Sequence, residues 1–170
     1  YRVVIPLIQR DYAQGRKDKR TTEVRKKLLQ DINTALLDAN VGSLDLNFIY
    51  GKSTNGKFIP LDGQQRLTTL FLVYLFAYRD NDECDFLGNF AYETRKSSTQ
   101  FFKSLFENRK NIFIETKSPS EIITDEPWFA DSWQLDPTVQ GALKTLDDIS
   151  DSFDYGFDYV SVLSDSNNQK

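Results

Sequence analysis

The chain has 170 residues, with 21 Lys and Arg against 25 Asp and Glu, one Cys, no Met and no His. That length suits one domain, or one domain with a subdomain, and 39% hydrophobic with 14% aromatic residues exclude a disordered or low-complexity chain. Without His there can be no Ser-His-Asp triad, Cys-His dyad, His-ligated nuclease metal or zinc deaminase centre, so any catalysis must use carboxylates, amides, Arg or Lys, hydroxyls or the backbone.

The longest apolar run, Leu70 to Tyr78, is about half of the roughly 20 residues a membrane-spanning helix needs. The basic first twenty residues hold no apolar core of a signal peptide. Cys84 cannot form an internal disulfide, which fits a reducing cytoplasm. The missing Met and the start at Tyr1 suit a piece of a longer protein. The net charge of −4 conceals a split. Residues 1–30 carry nine Lys and Arg against Asp11, Asp18 and Glu23, a net of +6, whereas residues 121–165 carry eleven acids against Lys144, a net of −10. The basic end is a candidate for a polyanion such as DNA, through Arg16, Lys17, Lys19 and Arg20; the plainer reading is a solvated helix face.

In chain order, Val3-Val4-Ile5 reads as a short strand ended by Pro6, and the polar stretch Asp11–Arg20 with Gly15 reads as a loop. A helix is expected from Thr21 or Thr22, with Glu23 in its first turn and Val24, Leu28, Ile32, Ala35, Leu36 and Ala39 at helical spacing until Gly42. Leu44, Leu46, Phe48 and Tyr50 alternate as in a strand. Asn55-Gly56 predicts a hairpin, so Lys57–Leu61 should return antiparallel. The helix Leu67 to about Arg79 is apolar on nearly every face and should be buried at the centre.

Further on, Ser97 or Ser98 is expected to cap a helix carrying Phe101, Phe102, Leu105 and Phe106. Ile112-Phe113-Ile114 is a short strand or a buried link. Asp136-Pro137 starts a helix, and Tyr159–Leu163 resembles a last strand. The fold class is therefore α+β: a small N-terminal sheet with a turn-rich polar site, then a mostly helical continuation from residue 80.

The sharpest polar cluster is Asp62-Gly63-Gln64-Gln65-Arg66, set between an apolar strand and an apolar helix. Polar groups placed there cost free energy unless paired. A strand-to-helix turn also directs free N–H groups outward as an anion site. Arg66 offers a fork for phosphate oxygens, and Thr68 and Thr69 offer hydroxyls. Gln64 or Gln65 could orient a water, and Asp62 could hold Mg²⁺ or accept a proton. A purely structural reading pairs Arg66 with Asp62 and uses the glutamines as loop caps. A second cluster, Gln9 to Arg16, with Arg10 and Tyr12, suits phosphate and base contacts.

Other patterns fail on inspection. Gly51-Lys52-Ser53 lacks the first Gly of a P-loop, since position 46 is Leu46, and a turn follows it. Asp80, Asp82 and Asp85 lack the Gly and the later carboxylate of a calcium loop. Glu115-Thr116-Lys117 has no partner Asp for a metal-dependent nuclease. Trp128, Phe129 and Trp133 suit buried anchors better than base stacking.

Ile5-Pro6-Leu7-Ile8-Gln9-Arg10-Asp11-Tyr12, followed by Leu61-Asp62-Gly63-Gln64-Gln65-Arg66-Leu67-Thr68-Thr69-Leu70, resembles the DGQQR-motif family, the NTPase half of GmrSD-type modification-dependent restriction enzymes and related phage-defence proteins. The resemblance implies a ParB/sulfiredoxin-like nucleotide-binding domain over residues 1–79. It further implies an NTP site made by the DGQQR turn and the loop before it, with Gln9 and Arg10 as phosphate contacts and Mg²⁺ as the accompanying ion. Hydrolysis would license cleavage of DNA, modified phage DNA included, in the cytoplasm. The His-dependent nuclease of that family has to lie outside this chain. The rival expectation is a non-catalytic module that reads modified DNA through the basic N-terminal region.

Overall fold

The computed structural model describes residues 2–6, 11–38 and 44–165. Four strands form one mixed sheet in the order β2-β3-β1-β4: β1 (Arg2–Ile5), β2 (Tyr50–Thr54), β3 (Lys57–Asp62) and β4 (Phe90–Tyr92). β2 and β3 are the antiparallel hairpin expected at Asn55-Gly56. Both turn residues have positive φ, +48° and +71°, as a two-residue hairpin turn requires. β1 lies parallel to β3 and to β4. β4 has only three residues, too few for periodicity to reveal.

Six α-helices accompany the sheet among the described residues: α1 (Lys19–Leu37), α2 (Gln64–Ala77), α3 (Lys96–Glu107), α4 (Pro119–Asp125), α5 (Pro137–Ser152) and α6 (Tyr159–Ser164). α1 begins two residues earlier than expected, because the Asp18 carboxylate accepts the Thr21 N–H at 2.9 Å and serves as its cap. Its expected continuation through Ala39 to Gly42 falls outside the described residues. α2 also begins early, so that Gln64, Gln65 and Arg66 form its first turn. The expected burial of α2 holds: Phe71, Leu72, Val73, Leu75, Phe76 and Ala77 are all buried. α5 starts at Asp136-Pro137 as expected, with Asp136 accepting the Thr138 N–H at 2.8 Å.

Three expectations give way. Residues 44–49 are not a strand: Asp45 accepts the Asn47 N–H at 2.7 Å and Asn47 has φ +62°, a turn that breaks the alternation. Tyr159–Leu163 is helix rather than strand, since Asp158 caps it by accepting the Ser161 N–H at 3.1 Å. The serines at the start of α3 do not cap it; their hydroxyls turn to Asp136 instead. Residues 112–114 are the buried link, with Ile112 and Phe113 in the core and Ile114 exposed.

The core is one cluster that draws on residues before and after position 79. Ile5, Leu29, Leu72 and Phe76 share it with Phe101, Leu105, Ile123, Val139, Leu146 and Tyr159. Phe129 and Trp133 anchor edge-on against each other and against Phe101, with ring centroids 5.6–6.3 Å apart. The Cys84 thiol is buried and free. No helix of the described residues is long and apolar enough to cross a membrane.

Candidate functional site

The DGQQR stretch is the corner between β3 and α2. Asp62 ends the strand and Gly63 turns the chain with φ +85°. A Cβ at Gly63 would also stand 2.7 Å from Ile49 Cγ1, so the corner needs glycine for both its backbone angle and its space. The first intrahelical bond runs from the Leu67 N–H to the Gly63 carbonyl at 2.9 Å. The N–H groups of Gln64, Gln65 and Arg66 therefore lack acceptors within the helix and carry the positive end of its dipole.

The three polar side chains of this turn have distinct surroundings. Gln65 is a clamp: its Oε1 accepts the N–H groups of Ala13 (2.7 Å) and Gln14 (3.1 Å), and its Nε2 donates to the Asp11 carbonyl at 2.9 Å. Arg66 holds the segment entering β2, donating to the carbonyls of Leu46 and Phe48 at 2.8 Å each. Its ion pair with Asp62 is loose, at 3.8 Å, and Asp62 is 58% exposed. The Oε1 of Gln64 is buried and accepts no hydrogen bond. A buried acceptor without a donor is costly, and here it sits beside an open cleft of about 650 Å³, lined by residues 62–66 with Ala13, Gln14 and Leu61.

Tyr12, Thr68 and Thr69, expected to touch nucleotide, lie behind this cleft and are fully buried. Thr68 donates to the Gln64 carbonyl at 2.8 Å, and Thr69 donates to Gln14 Oε1 at 2.6 Å. The Tyr12 hydroxyl shares hydrogen bonds with Thr69 Oγ1 (2.7 Å) and Thr145 Oγ1 (3.2 Å). Burial pushes its phenol pKa up despite these bonds. Gln9 and Arg10 lie outside the described residues.

The loop opposite the corner is fastened from three further sides. The Arg25 guanidinium, itself fully buried, donates to the carbonyls of Gln14 and Arg16 and pairs with Asp148 on α5 at 2.6 Å. Lys144 also donates to Asp148, at 2.9 Å. Burial raises the Asp148 carboxyl, but the bonds and charges of Lys144 and Arg25 outweigh it and hold the group below the usual carboxylate range. Arg95 bridges Asp11 to the buried Asp136. Burial likewise raises Asp136, and hydroxyls from Ser97 and Ser98, the Thr138 N–H and the Arg95 charge bring it below its ordinary value. Finally, the Gly15 and Gly141 backbones touch.

Sequence reasoning found the corner and placed Asp11 in the second polar cluster, but it missed Arg25, Arg95 and Asp148, which hold the facing loop. The one sequence signal was Gly141 inside an otherwise helical pattern, which marks a close approach. The candidate DNA contacts Arg16, Lys17, Lys19 and Arg20 are all exposed, as are Lys26 and Lys27 farther along α1. Among the described residues no three acidic or Cys side chains cluster to form a resident metal site.

The family described as GmrSD restriction endonuclease, N-terminal domain, matches residues 1–170. No curated protein and no solved structure matches the chain.

Proposed function

The chain belongs to the family of N-terminal domains of GmrSD restriction endonucleases, and we propose that it is the NTP-binding and NTP-hydrolysing part of such a defence enzyme. The carrying observation is the open cleft at the α2 N-terminus, lined by Gln64, Gln65 and Arg66, whose N–H groups have no acceptor within the helix. The β- and γ-phosphates bind at the helix start. Gln64, which lines the cleft, orients the attacking water toward the γ-phosphorus through its amide. Gln65, Arg66, Thr68, Thr69 and Tyr12 act as positioning residues that fix the two walls, and Gln9 and Arg10 add phosphate contacts.

Asp62 stands exposed on the rim, where one carboxylate can share Mg²⁺ with phosphate oxygens and waters. The ion would then arrive with the triphosphate, offsetting its charge. The exposed Arg16, Lys17, Lys19 and Arg20, with Lys26 and Lys27 farther along α1, face DNA, and hydrolysis in the cytoplasm licenses cleavage of modified DNA by a nuclease domain outside this chain.

The test is phosphate release from each of the four NTPs by the full-length protein, with and without DNA and Mg²⁺. Release that disappears in Asp62→Ala supports the reading. Salt-dependent DNA binding with no nucleotide binding or turnover replaces it with a non-catalytic DNA-reading module, which the basic strip would equally serve.

A further inference from the structure

Most aromatic rings of this chain are buried or half-buried; among the described residues only Phe48, Tyr50 and Phe86 are exposed. Phe86 has company, with Tyr74 and Tyr78 edge-on at 6.1 and 5.3 Å. Phe48 and Tyr50 instead stand 87% and 59% exposed, the first on the segment held by Arg66 and the second opposite Asp62. Tyr50 is the cross-strand partner of Asp62, next to a register shift between Tyr50 and Gly51, so its backbone lies directly beside that of Asp62. The Phe48 carbonyl is held by Arg66 Nη2, the nitrogen that also lies 3.8 Å from Asp62. Leu61, 62% exposed, joins this apolar rim to the cleft wall. Two large exposed rings thus lie on segments joined to Asp62 and Arg66 of the cleft wall, where solubility alone would favour polar residues.

We infer that Phe48 and Tyr50 form the platform on which the base of the bound nucleotide stacks. The inference rests on the nucleotide reading above and adds the base-recognition part of that site. An anionic tail at a helix N-terminus and a flat ring on aromatic faces are the two halves of a nucleoside triphosphate. Stacking uses the π-face, which every base has, and reads no hydrogen-bonding edge. The site therefore accepts all four NTPs and holds the larger purines more tightly than the pyrimidines.

Calorimetric titration of the full-length protein with ATP, UTP and inorganic triphosphate tests this. Tyr50→Ala and Phe48→Ala are expected to weaken ATP binding about tenfold, the size of one lost base–aromatic contact, while triphosphate affinity stays at the parent value and Tyr50→Phe behaves as the parent. Unchanged ATP affinity in both Ala variants overturns the platform, whether or not they alter self-association or partner capture. An equal loss for ATP and triphosphate overturns it too, because the rings would then merely support the phosphate wall. A parent protein that binds neither ligand overturns the nucleotide reading itself, and the platform with it.

Discussion

Gly15 and Gly141 meet backbone to backbone: a Cβ added at Gly15 would stand 2.0 Å from the Gly141 Cα and 2.1 Å from its carbonyl oxygen. Seen from the other side, a Cβ at Gly141 would stand 2.7 Å from the Tyr12 carbonyl oxygen. The contact seats the cleft's loop directly on α5, and neither backbone can yield without moving a hydrogen-bonded partner.

Gly15→Ala should therefore lower the melting temperature by roughly 5–10 °C, the range expected for overpacking a tight site in a chain of this size. Gly141→Ala lies within a helix, where alanine gains about 1 kcal/mol, yet it too should destabilise, by less than Gly15→Ala. Thermal unfolding of both variants measures this. A Gly141→Ala protein more stable than its parent would mean that α5 and the loop do not pack this closely.

The buried Arg25–Asp148 pair makes a prediction about acid. The Asp148 carboxyl lies below its unfolded value, so its contribution is complete above the ordinary carboxylate range near ~3.9 and disappears as pH falls through the lower folded value. Asp136 acts in the same direction. Asp147 opposes them, since burial raises its carboxyl despite the Ser120 N–H bond. Urea midpoints taken from pH 7 to pH 3 should fall, and Asp148→Asn should both lower and flatten that curve. Its cost at pH 7 should be about 3–5 kcal/mol, because Arg25 is left buried without its counter-charge. Arg25→Met combined with Asp148→Leu should recover most of the loss. A double variant no better than the single one would show that the pair does more than cancel its own desolvation.

Local chemistry made some of this legible in the sequence. Asn55-Gly56 specifies its turn by backbone angle, and Asp136-Pro137 specifies a helix start by cap and ring, so both elements stand where expected. The corner at 62–66 was legible for the same reason, as polar residues placed where an apolar strand meets an apolar helix. What stayed hidden depends on distant partners. Gln65 engages residues 51–54 positions away, and Arg25 and Asp148 are 123 apart. The alternation at Leu44–Tyr50 misled because a single left-handed Asn47 ends a strand pattern without altering its apolar spacing. Tyr159–Leu163 misled because five residues fit either period, and the Asp158 cap decided between them.

Arg66 separates a positioning role from a mere need for positive charge. Its fork spans the carbonyls of Leu46 and Phe48, which a single ammonium cannot do in the same geometry. If the protein hydrolyses NTPs as proposed, Arg66→Lys should keep the charge yet reduce that hydrolysis about tenfold or more, the scale of one lost charge-assisted hydrogen bond. The loss should appear mainly in KM, since the wall of the cleft shifts while the proposed water-orienting residue, Gln64, stays. Steady-state phosphate release gives both parameters. A Lys variant at the parent rate and KM would make the two carbonyl bonds irrelevant to the site.

Gln64 sets stability against activity. Its buried Oε1 has no donor, so Gln64→Leu, which keeps the size and removes the acceptor, should stabilise the fold by about 1 kcal/mol. If the amide holds the attacking water, the same change should cut hydrolysis by about a hundredfold or more, the ordinary scale for losing such a group, with nucleotide affinity nearly intact because phosphates rest on backbone N–H groups. Unfolding curves, nucleotide titration and phosphate release on one variant read all three quantities. Higher stability with full hydrolysis would make Gln64 an unsatisfied core residue and move the water's partner to Asp62. Lower stability would mean that Oε1 is satisfied within the folded protein, which removes the reason to place a water there.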